Sequence, residues 1–140
     1  MTFDQDNKVV QLCAMGMEFE GQGKISEAST LFKEAWNIAA DDFEKFTAAH
    51  YVARHQRNAY DKLNWDQIAL HHALNIDEEV IKETLPSLYL NIGKCYEDLH
   101  DFEHAKEQYQ LAFSFTGFLP DDGYGKMIKT GISDGLARVM

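Results

Sequence analysis

The amino-acid sequence predicts an all-α protein built from repeated pairs of helices. Three observations carry this. Only two prolines occur, Pro86 and Pro120, and Ala, Leu, Glu, Lys and Gln fill much of the chain, which favours helices. No stretch alternates apolar and polar residues long enough for a strand. Finally, one spacing of small and aromatic residues occurs twice.

The first occurrence is Gly16, Phe19, Ala28, Phe32 and Ala35; the second is Gly93, Tyr96, Ala105, Tyr109 and Ala112. In both, the aromatic residue follows the glycine by three, the first alanine by twelve, and the later steps are four and three. The loops GQGKISEA and LHDFEHA are also alike. Such residue types suit a close helix pair. The glycine allows close approach, the aromatic residue fills the gap, and the alanine stands at the tightest crossing. This pattern resembles the tetratricopeptide repeat, a helix-turn-helix of 34 residues. The resemblance implies a right-handed α-solenoid of about three repeats.

In this frame the first repeat spans 9–42. Gly93 lies 77 positions after Gly16, which is two periods of 34 plus nine. A third, degenerate repeat therefore falls at 43–76, with Phe46 and Ala49 apolar as required and Leu63, Trp65, Ala69 and Leu70 suiting a second helix. It departs from the pattern at His50 for the small residue, Ala53 for the aromatic one, Lys62 for the first alanine and Asp66 for the second aromatic residue. The nine extra residues are the insert 77–85. Asp77, Glu78 and Glu79 suit a helix start. A long helix from Asp77 kinked at Pro86 is the preferred reading; a fresh helix opening at Pro86 is the alternative. The last repeat is 86–119. After the turn at Pro120–Gly125, Met127, Ile128, Ile132, Leu136 and Val139 recur at helical spacing. This segment, about 124–139, suits a capping helix that covers the last apolar face.

The net charge is −10, from 13 Lys+Arg and 23 Asp+Glu. That balance disfavours nucleic acid and anionic membranes. No signal peptide and no membrane-length apolar run is evident, so a cytoplasmic location is expected. Cys13 and Cys95 each lie in an apolar helical stretch and read as buried, reduced thiols.

The family resemblance implies a concave groove, lined by the first helix of each pair, that holds a protein or peptide partner. By the family's positions the lining would be Cys13, Met17 and Glu20, then Thr47, Tyr51 and Arg54 with His55 at the edge, then Leu90, Lys94 and Glu97. One subgroup grips a C-terminal carboxylate with basic and Asn side chains. Here those positions hold Cys13, Met17, Ala48, Ser87 and Asn91, without a cation, so that clamp is not expected.

Charge is uneven: −5 over 1–42, +1 over 43–76, −6 over 77–109 and zero over 110–140. The one non-acidic stretch of the body contains His50, Arg54, His55, Arg57 and Asn58. His50, Arg54 and Arg57 would share a helical stripe, and Tyr51, Arg54, His55 and Asn58 its neighbour. The cluster reads either as a donor site for an acidic group of a partner or as internal ion pairs with a neighbouring helix. Histidine spacing suits no metal site, and no phosphate loop, dinucleotide fingerprint or nucleophile elbow is present. No cofactor and no catalytic residue is implied.

The expected function is thus a non-catalytic interaction adaptor with a partner segment in its groove. The expected contacts are Met17, Tyr51, Arg54, His55, Asn58, Leu90, Asn91 and Lys94. The alternative is a homodimer that buries the apolar patch of Cys13, Met17 and Leu90, or the cap end.

Overall fold

The structure is a computed structural model and describes residues 4–140. Among the described residues seven α-helices follow one another: α1 (Lys8–Gly21), α2 (Ile25–Ile38), α3 (Asp42–Arg54), α4 (Ala59–Leu74), α5 (Leu85–Asp98), α6 (Phe102–Ser114) and α7 (Gly123–Val139). Short 3-10 turns occupy Glu79–Glu83 and Thr116–Phe118. Each helix packs on its successor, forming an all-α helical-repeat solenoid of three pairs and a terminal helix.

Local chemistry sets most helix starts. Asn7, Asp41, Asn58, Asp101 and Asp122 are N-caps whose side chains accept first-turn N–H groups. Asp41 and Glu44 form a reciprocal capping box. Pairs one and three end their first helices alike, with Gly23 at φ 77° and His100 at φ 62° just past α1 and α5. Glycine adopts that left-handed conformation freely; histidine has a Cβ that opposes it. His100→Gly is therefore expected to raise stability by about 1 kcal/mol, read as a later urea midpoint at unchanged slope.

The register of the pairs is common. Gly16, His50 and Gly93 are the ninth residues of α1, α3 and α5, and Phe32, Asp66 and Tyr109 the eighth of α2, α4 and α6. A Cβ on Gly16 would stand 2.4 Å from the Phe32 ring, and one on Gly93 2.7 Å from that of Tyr109. The two glycines exist for those rings. The middle pair has no such lock.

The kinked helix from Asp77 does not form. Residues 76–78 are non-helical, the turn Glu79–Glu83 follows, and α5 opens afresh with Pro86 in its first turn. A continuous helix would lose a hydrogen bond at Pro86 and set its ring against a preceding carbonyl, whereas the first turn needs no donor there. Ile81, 5% exposed, packs the insert into the core beside Leu85, Leu88 and Ile128.

Trp36 meets Trp65 edge-on at 5.1 Å and joins pairs one and two. The cap α7 docks on both α5 and α6. Its Ile128 and Ile132 are buried, and Arg138 grips Glu97 of α5 through Nε at 2.8 Å and a terminal nitrogen at 3.0 Å. The Arg138 hydrogen bonds hold the Glu97 carboxyl below its ordinary range.

Candidate functional site

First helices of successive pairs should pack side by side along the concave face. α1 and α3 do so; α3 and α5 make no comparable contact. A cleft of about 150 Å³ opens there, walled by Phe46, Thr47, His50 and Tyr51 of α3, by Thr84, Ser87 and Leu88 around the start of α5, and by Tyr124 of α7. A second, also about 150 Å³, lies between α1 and α3 against Val10, Cys13, Met17, Thr47 and Tyr51. Thr47 and Tyr51 border both, so the two make one groove across α3.

Thr47 Oγ1, on a residue 4% exposed, and His50 Nδ1 are buried in this groove without a hydrogen-bond partner among the described residues. Burial lowers the His50 pKa to about 4, with Arg54 and Lys62 adding repulsion. The ring is thus a neutral imidazole at pH 7. Tyr51 stacks on Phe32 at 5.1 Å, beneath the Arg54 guanidinium at 5.4 Å.

The expected contacts separate. Met17, 45% exposed, and Tyr51 line the groove. Arg54 stands half-exposed on the rim and pairs with Glu20 of α1 at 3.2 Å. His55 ends α3 with its ring edge-on to Phe32 and its Nε2 donating to Glu20 at 2.6 Å. Both thus join an internal pairing with α1. Asn58 caps α4 and donates to Asp61, and it does not line the groove across α3. Leu90 lies under α7, where its Cδ2 would be 3.1 Å from a Cβ on Gly131. Asn91, half-buried, remains on α5, and Lys94 pairs with Asp98 at 2.5 Å. The apolar patch of Cys13, Met17 and Leu90 does not exist as one surface: Cys13 is 3% exposed and Leu90 is partly buried against the core beside α7. Nor does the stripe of His50, Arg54 and Arg57, because α3 stops at Arg54. Tyr124 joins the groove from beyond the repeats, a position that no period reveals.

Both cysteines are free and buried, and burial pushes both thiols up to about 12. Among the described residues, no three His, Cys, Asp or Glu side chains gather as a metal site would require. No helix of theirs is long and apolar enough to cross a membrane.

Residues 86–116, the whole of α6 and nearly all of α5, match the family model for the tetratricopeptide repeat. The third helix pair is thus similar to a tetratricopeptide repeat. The resemblance seen in the spacing of Gly93, Tyr96, Ala105 and Tyr109 holds at that pair, and the match supports a protein of the tetratricopeptide-repeat family. Such repeats are generally non-catalytic modules of protein–protein interaction, which points to protein partners. A search of curated proteins and one of solved structures each found no match.

Proposed function

We propose that the chain is a non-catalytic interaction adaptor that holds a partner's peptide segment in the groove across α3. The observation that supports this most is the pair of orphaned polar atoms, Thr47 Oγ1 and His50 Nδ1, set among apolar walls. A buried polar group without a partner costs about 1–3 kcal/mol. An extended peptide offers amide donors and acceptors to both atoms while Met17, Phe46 and Leu88 take its side chains.

The test follows from that cost. Thr47→Val keeps the shape and removes the orphaned hydroxyl, so the melting temperature is expected to rise by a few degrees. Peptides selected by phage display against the unaltered protein should bind the variant about tenfold more weakly. Equal affinity for both proteins would refute the groove. Self-association is the second reading, favoured by Leu111, Phe113 and Met127, which are 40%, 60% and 62% exposed toward the cap end. Sedimentation equilibrium decides between the readings: a tight dimer unable to bind the selected peptides supports self-association.

A further inference from the structure

On the side of α2 and α4, away from Thr47 and Tyr51, lie two adjoining cavities of about 400 Å³ each. Lys33, His55 and Arg57 line both. Lys33 and Arg57 are exposed, and neither has an ion-pair partner among the described residues, although the chain holds 23 acids. The His55 side chain is 9% exposed. Glu20 takes its Nε2, which fixes the ring, while its Nδ1 is buried without a partner. The first turns of α2 form another wall through Ser26 and Ser29, and the cap residue Lys24 makes no side-chain cap hydrogen bond there. One carboxylate, that of Asp61, stands on the edge of the second cavity, where it accepts from Asn58.

We infer that this outer pocket binds a phosphate monoester. Lys33 and Arg57 supply two cationic donors, the second planar and suited to two oxygens at once. The start of α2, without a side-chain cap, adds the positive end of a helix dipole, offset in part by Glu27 of the same turn. A phosphate monoester near neutral pH exists partly as the monoanion. Its P–OH can donate to His55 Nδ1, which a carboxylate cannot do, while the bare oxygens take the cations. The site stands apart from the groove and does not depend on it.

The experiment is an NMR titration of the whole ¹⁵N-labelled chain with inorganic phosphate, N-acetyl-phosphoserine methylamide and N-acetyl-serine methylamide. Saturable shifts are expected at Ser26, Ser29 and Arg57 amides and at the His55 ring nitrogens, with the first two probes alone. Lys33→Gln with Arg57→Gln should weaken binding at least tenfold without moving the melting temperature, both side chains being exposed. Tighter binding of the phosphoserine compound would assign the site to a phosphorylated partner; tighter binding of inorganic phosphate would overturn the monoester in favour of the free ion. Non-saturating shifts spread over Lys106, Lys126 and Lys129, or saturation unaltered in the double variant, would overturn the inference.

Discussion

Gly93→Ala is expected to destabilise the protein by about 3 kcal/mol, the upper end for overpacking, and to lower its melting temperature by about 10 °C. The new Cβ would stand 2.7 Å from Tyr109 Cε1. That ring has nowhere to go. On its other side a Cβ on Gly135 of α7 would also fall 2.7 Å away, and the hydroxyl donates to Glu97 at 2.7 Å. Tyr109 is wholly buried, and its burial together with Glu97 holds the phenol well above its ordinary range. Gly131→Ala is the control. Its Cβ meets the Leu90 side chain, nearest at Cδ2, 3.1 Å away, the far end of a side chain that can turn. Gaining helix propensity there should leave stability within about 1 kcal/mol of the unaltered protein. If thermal melts show equal losses for the two variants, close approach is not what Gly93 provides.

These contacts explain why the fold could be read from the chain. Gly16 with Phe32, and Gly93 with Tyr109, are complementary in volume and touch in space, so their spacing records a physical constraint twice over. The insert was less legible. Asp77, Glu78 and Glu79 carry the charge pattern of a helix start, yet Pro86 and the burial of Ile81 set the path of the chain. Met17 and Tyr51 reach the groove because the period alone places them. Leu90 does not, because α7 folds back over α5, a long-range return that no local pattern encodes. Arg57 likewise leaves its stripe for want of one more helical turn.

The middle pair carries the second large effect. His50, Lys62 and Asp66 occupy the positions held by Gly16, Ala28 and Phe32 in pair one and by Gly93, Ala105 and Tyr109 in pair three. Asp66 is 1% exposed, paired with Lys62 at 2.7 Å and taking a weak donor from Cys95 at 3.5 Å. Its Oδ1 is orphaned, and burial raises its pKa against the pull of Lys62. Replacing such a buried pair with well-packed apolar groups is commonly neutral or stabilising by about 1–4 kcal/mol. The combined variant His50→Gly, Lys62→Ala, Asp66→Tyr is therefore expected to gain about 2 kcal/mol, after about 1 kcal/mol lost to glycine in a helix.

Its pH dependence should change as well. His50 titrates near 4 in the fold, against 6.5 ordinarily. That contribution to stability is whole above pH 6.5 and is lost as pH falls toward 4, by about 3 kcal/mol in all. Asp66 acts with the opposite sign, since its raised pKa favours the fold at low pH and costs stability as pH rises through it. Asp66→Asn should thus steepen the acid-side loss seen by urea denaturation between pH 7 and 4.5, and His50→Gly alone should flatten it. The same triple variant loses His50 from the groove, so its selected peptides should bind at least tenfold more weakly. A triple variant that melts lower at pH 7 would mean that the polar set holds the middle pair together. A stabler protein with an empty groove would mean that His50 serves binding at the expense of packing.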